Sequence, residues 1–262
     1  MKERRYERLR PAQILELRQA CPVAYIALGN LEWHGEHNPV GLDTLRMNGV
    51  LLRCAEKTGG LVFPPLYYGD NREQALMEAN AADRERIHRR MGLASSNFTA
   101  GYMCRSIYEQ TDIYHRLLIH ILFEIASLGF KVIVIGAGHY PLIDHARAAI
   151  CIAHQTLQRQ RKAVMWAFTG YELVKDIFPF AGDHGGKWET SMIMALEPGL
   201  TDLSALSAAP GAAPVGISDN GVEESSAEEG EKFIAAIVES ASDRVTDMLQ
   251  NFDAYLGHGA RF

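Results

Sequence analysis

The sequence predicts one α/β domain built as a three-layer α/β/α sandwich around a mostly parallel sheet, and three observations lead there. The chain has 262 residues, within the roughly 250–300 that a single hydrophobic core can serve. Four short β-rich apolar runs alternate with segments in which apolar residues return every three or four positions, which is the pattern of strands joined by crossover helices. The strand-like runs are almost continuously apolar, as strands covered on both faces are.

In chain order, the runs are 23–28, 61–66, 132–135 and 163–168. Helical periodicity covers 45–57, 113–128, 142–159 just after Pro141, and 231–251, with a shorter helix at 192–196. The stretch 71–108 breaks the alternation, being polar, charged and aromatic in turn, and reads as an inserted arm, a lid or an oligomer contact. Residues 203–216 are rich in Ala, Ser, Pro and Gly, and 223–231 are acidic, so both read as exposed connection before the last helix. No internal repeat is evident, and the whole chain reads as one domain.

Composition narrows the function classes. Hydrophobic residues make up 47% and charged residues 22%, which are globular values. A formal charge of −6 offers nucleic acid no basic footprint, and the basic stretch 84–90 reads as a solvated helix face. Cys21, Cys54, Cys104 and Cys151 form no CxxC pair, which fits free thiols in a reducing compartment. No apolar run approaches the roughly 20 residues of a membrane span, and no signal-type segment follows the charged N-terminus, so the expected location is the cytoplasm.

Chemistry is expected at the carboxyl ends of the strands, where open α/β sheets form their ligand crevice. Glu32 and His34 follow the first run, and Asp43 stands where the next helix begins. Carboxylates and imidazoles together suit zinc, manganese or iron. Taken singly, Glu32 and His34 read as loop residues and Asp43 as a helix cap. His139 follows the third run, where it could add an imidazole to the same ion. His184 and Glu189 lie in the Gly-rich turn Gly182-Asp-His-Gly-Gly-Lys-Trp-Glu-Thr-Ser191. There Glu189 is either a helix cap with Thr190 or a ligand, and His184 either a loop histidine or a proton carrier. Trp33, Tyr140 and Trp188 adjoin these residues and are candidate walls of a pocket for a compact polar ring.

The stretch Leu28-Gly-Asn-Leu-Glu-Trp-His-Gly-Glu-His-Asn-Pro-Val-Gly-Leu-Asp-Thr44 resembles the first signature of the creatininase (creatinine amidohydrolase) family. Gly136-Ala-Gly-His-Tyr140 resembles the second and His184-Gly-Gly-Lys-Trp-Glu-Thr-Ser191 the third, in the same order. The resemblance spans about 23–196 and is weak through 71–108. It implies that family's α/β/α sandwich and two divalent ions, zinc, manganese or both, with iron also compatible. Glu32 and His139 would hold one ion and His34 the other, Asp43 would bridge them, and Glu189 is the candidate for the remaining ligand. Where family members can carry an acidic residue or a Gly-Asn pair after the Gly-His element, this chain has Tyr140-Pro141-Leu142, which weakens the link to creatinine itself.

The activity implied is attack of a metal-bridging hydroxide on the carbonyl of a small cyclic or formyl amide, with His184, or Glu189 in its place, delivering a proton to the leaving group. Ring-opening C–C hydrolysis of a keto-inositol such as 3-dehydro-scyllo-inosose is the alternative within the family. A non-catalytic metal- or sugar-binding module is the alternative outside it. The resemblance further implies a homo-oligomer, in many members a hexamer, while charge and hydropathy argue against a nucleic-acid or membrane partner.

Overall fold

A computed structural model of the chain describes residues 2–69, 83–94, 96, 107–157, 160, 162–206, 214–218 and 221–256. Four strands, β1 (Val23–Leu28), β2 (Leu61–Val62), β3 (Val132–Ala137) and β4 (Val164–Thr169), form one sheet in the order β2-β1-β3-β4, and every pairing is parallel. Among the described residues, eight α-helices accompany them: α1 (Pro11–Ala20), α2 (Leu42–Thr58), α3 (Arg84–Met91), α4 (Ile107–Ser127), α5 (Leu142–Leu157), α6 (Lys187–Leu196), α7 (Ala227–Gln250) and α8 (Phe252–Tyr255).

The two-residue period of each strand sorts its side chains into two separate cores. Val23, Tyr25 and Ala27 of β1, Val132 and Val134 of β3, and Val164, Trp166 and Phe168 of β4 face the layer of α2, α6 and α7. Ala24, Ile26 and Leu28, then Ile133 and Ile135, then Met165 and Ala167, face the layer of α4 and α5. With helices on both faces, β1, β3 and β4 are buried along their whole lengths. The three-layer sandwich expected from the apolar runs is therefore the fold.

Several boundaries differ from expectation for local reasons. The run 61–66 keeps only Leu61–Val62 as regular strand and rejoins the sheet at Leu66 as a single bridge to Leu28, because Pro64 and Pro65 have no N–H to give a ladder. The acidic stretch 223–231 is not open connection throughout. Ser226 caps α7 by accepting the Glu229 N–H, and Glu228 and Glu229 sit in the first turn, where the helix dipole favours acids. Helix α1 was not read from the sequence: its face is only weakly apolar, and Leu17 is its one buried residue.

Most of the stretch 71–108 lies outside the described residues. Its described part contains α3, which is docked rather than solvated on all sides: Ile87 is fully buried with Trp33 and Val215, and Arg90 reaches Glu36 at 3.1 Å. Cys104 lies outside the described residues. Cys21, Cys54 and Cys151 are free thiols. Among the described residues no helix is long and apolar enough to cross a membrane.

Candidate metal centre

The crevice opens where β1, β3 and β4 end. Gly29 and Gly138 let two of these ends come close to the start of α2. A Cβ on Gly138 would stand 2.1 Å from the Asp43 carbonyl oxygen, and one on Gly29 would stand 2.3 Å from the Thr44 hydroxyl. Only hydrogen fits there, so His139, the residue after Gly138, is set directly over Asp43. The loop from β1 is closed by the Glu32 N–H, which donates to the Val40 carbonyl at 2.9 Å. Asp43 is the second residue of α2 and caps nothing; Gly41 holds the cap position.

Five of the expected ligands converge. His139 Nδ1 lies 2.8 Å from Glu32 Oε2 and 3.3 Å from Asp43 Oδ2. On the other side of Asp43, His34 Nε2 lies 3.1 Å from Asp43 Oδ1 and 3.6 Å from Glu189 Oε2. Glu32, His139 and Asp43 thus form one nest of donor atoms and His34, Asp43 and Glu189 a second, each within 4.8 Å, and Asp43 turns one oxygen toward each. The His34 ring is held from behind: its Nδ1–H donates to the Glu32 carbonyl at 3.2 Å, which leaves Nε2 as the coordinating nitrogen. His184 belongs to a third group with Glu32 and His34.

These residues fit divalent ions. Glu32 Oε1 and His139 Nε2 are buried without a hydrogen bond, and Glu32 Oε2 and Asp43 Oδ2 have only the His139 Nδ1 beside them; buried carboxylates in that state cost several kcal/mol unless a cation answers them. Without ions the nest holds protons instead. Burial alone would push His34 down, but the charge and hydrogen bond of Asp43, with Glu189 and Glu32, outweigh it and hold His34 up to about 10. His139 is likewise held up to about 10 by Asp43 and Glu32 against its burial. Asp43 is held well below the usual carboxylate range: its burial opposes this, and the two imidazoles outweigh the burial. Metal binding would displace such protons.

His184 is placed differently. Its ring lies 4.4 Å from that of His34, tilted by 33°, and its Nε2–H donates to the Trp33 carbonyl at 2.9 Å. Burial, then the neighbouring His34, keeps its proton affinity below that of an ordinary histidine.

A cavity of about 500 Å³ adjoins the centre, with His139, Tyr140, Tyr171, His184 and Glu189 on its wall. Tyr140 is more than half exposed there, and its ring sits 5.5 Å from that of Tyr171. Trp188 also reaches the wall but is 1% exposed and stacked on Phe233 at 4.6 Å, so most of its ring is core. Trp33 is a correction to the expected pocket wall: its indole N–H donates to the Val215 carbonyl, and its ring packs with Ile87 and Val215, away from the cavity. Its carbonyl serves the site by accepting from His184.

Four contributors were not singled out from sequence. Arg46 and Asp183 line the cavity with Tyr171. Asp183, not Thr190, caps the start of α6 by accepting the Trp188 and Glu189 N–H groups, at 2.8 and 3.2 Å. Its burial, then the charge of Glu189, pushes it up to about 6. Burial lowers His37 to about 4, and its Nε2 meets Thr190 Oγ1 and the Gly185 carbonyl at 3.1 Å, tying the first ligand loop to α6. Only Arg46 could have been inferred: it follows Asp43 by three positions, so a helix puts both on one face.

Fold and site together define an α/β/α protein with two nests of carboxylate and imidazole groups able to hold metal ions, sharing one aspartate, at the carboxyl edge of a parallel sheet. The profile described as "Creatininase: Creatinine amidohydrolase" matches residues 7–82 and 90–245, and the chain belongs to the creatininase family. A creatinine amidohydrolase of Pseudomonas putida is 27% identical over 196 residues, which cover 69% of this chain and 66% of that protein. Among solved structures, a manganese form of creatininase and a mutant creatininase complexed with creatine each superpose with a TM-score of 0.70 at 22% identity, covering 94% of this chain and 98% of theirs. A Zn–Zn form superposes with a TM-score of 0.68 at 23% identity, over the same shares.

Proposed function

We propose that this chain is a hydrolase that uses two divalent ions, zinc or manganese, to cleave the C–N bond of a small cyclic or formyl amide. The observation that carries the reading is Asp43, buried and turned with one oxygen into each ligand nest. Glu32 and His139 would hold one ion, and His34 and Glu189 the other. Bound there, such ions bring water to hydroxide near neutral pH and polarise a carbonyl oxygen.

The chain's own groups supply the rest. His184 donates from Nε2 to the Trp33 carbonyl, so Nδ1 is the nitrogen whose lone pair can take a proton. Burial beside His34 favours its neutral form at rest, the state a general base needs before it passes the proton to the leaving nitrogen. Tyr140 and Tyr171 offer ring faces and hydroxyls to a flat polar substrate entering the cavity. The creatine-bound relative and the creatinine amidohydrolase from Pseudomonas putida support a compact guanidino or amide substrate, while Pro141 argues for one other than creatinine.

The test is a screen of the zinc- and manganese-loaded protein against creatinine, other cyclic amides and formamides, with keto-inositols alongside, reading new amine and carboxylate. Amide turnover that disappears on chelation and returns with metal is the expected result. Turnover of keto-inositols alone would move the chain to C–C hydrolysis, and no turnover in any class would leave a binding module.

A further inference from the structure

The two nests are not equivalent, and the difference lies in one residue. Arg46 NH2 donates to Glu189 Oε1 at 2.8 Å and to the Gly138 carbonyl at 2.9 Å, with the arginine and glutamate side chains only 5% and 8% exposed. The other Glu189 oxygen accepts the Gly185 N–H at 3.0 Å. Both oxygens of that carboxylate are therefore engaged by groups outside the two nests, whereas Glu32 Oε1 has no partner and Glu32 Oε2 meets only the His139 imidazole of its own nest, at 2.8 Å.

We propose that Arg46 is a resident cation that sets the affinity of the second ion, by sharing the charge of Glu189 and occupying its Oε1. The inference rests on the two-ion reading above. A guanidinium stays ionised at any working pH and, in a site this buried, its repulsion of a nearby dication is weakly screened. Two effects then compete on removing it: loss of a tether for Glu189, which would loosen the ion, and loss of a repelling charge, which would tighten it. The tether is redundant, because Glu189 is also fixed by the Gly185 N–H and by its buried place in the first turn of α6. The charge has no substitute, so the second effect dominates. Arg46 is thus a positioning residue, acting on the ion through Glu189.

The experiment titrates zinc into the full-length, chelator-stripped protein against a competing chelator. Wild type is expected to show two unequal steps. Arg46→Met and Arg46→Gln should tighten the weaker step by about tenfold or more and leave the stronger step nearly unchanged, while Arg46→Lys, which keeps the charge, should stay close to wild type. Arg46→Gln retains hydrogen-bond donors and serves if the methionine variant fails to fold. A weaker step that loosens or does not move in the neutral variants would overturn the inference and leave the two-ion reading standing. A wild type that takes up no zinc would overturn both.

Discussion

The two halves of the metal centre use the same residue types and reach them in opposite ways. On the first side, Glu32 and His139 come from loops that leave β1 and β3, and the carboxylate there meets only the imidazole of its own nest. On the second, His34 meets Glu189, a helix residue whose carboxylate is already claimed by Arg46 and a backbone N–H. Donor identity is therefore not enough to rank two sites; what else each donor already satisfies decides how much of its charge is left for an ion. Asp43 alone belongs to both sides.

The comparison can be broken most directly at Asp43. Asp43→Asn should abolish uptake of both ions and take turnover to background, measured by metal analysis of the dialysed protein. Retention of one full equivalent would mean the sides do not share a ligand. Glu32→Gln should remove the tighter ion and leave the weaker one, so that stoichiometry falls by one equivalent and activity with it.

His184→Gln separates proton transfer from metal holding. We expect a loss of about 10²–10⁴-fold in turnover at unchanged metal content, the size of a general acid–base contribution. Loss of an ion instead would make His184 a ligand, as its place beside Glu32 and His34 allows.

A pH series on the metal-free protein sharpens the same point. His34 and His139 are raised to about 10 in the folded state, above the unfolded value near 6.5. Their contribution to stability is therefore fully present below about 6.5 and is lost as pH rises toward 10. Thermal unfolding of the stripped protein should shift to lower temperature from pH 7 to 10. The zinc-loaded protein should not follow, because ions replace those protons. The smallest effect belongs to Tyr171→Phe, which removes a hydroxyl at the cavity wall: we expect a change confined to KM and metal affinity equal to wild type.

Much of this was legible in the sequence. The apolar runs of β1, β3 and β4 announced a doubly covered sheet, because a strand buried on both faces cannot alternate. The order of Glu32, His34 and Asp43, then His139, then His184 and Glu189, marked the candidate ligand set through the family resemblance, and the structure brings these side chains together. Trp33 misled because adjacency in sequence says nothing about which way a loop side chain turns; its ring faces α3, some fifty residues further along the chain.

By itself, then, the sequence determined the layers and the candidate donor types, since burial pattern and donor chemistry are local properties. The bridging place of Asp43 was expected through the resemblance; only the tertiary structure decided that Arg46 competes for Glu189 and that His184 leans on the Trp33 carbonyl. Each of those is a contact between segments far apart in the chain, fixed by how α2 and α6 pack over the strand ends rather than by any spacing along it.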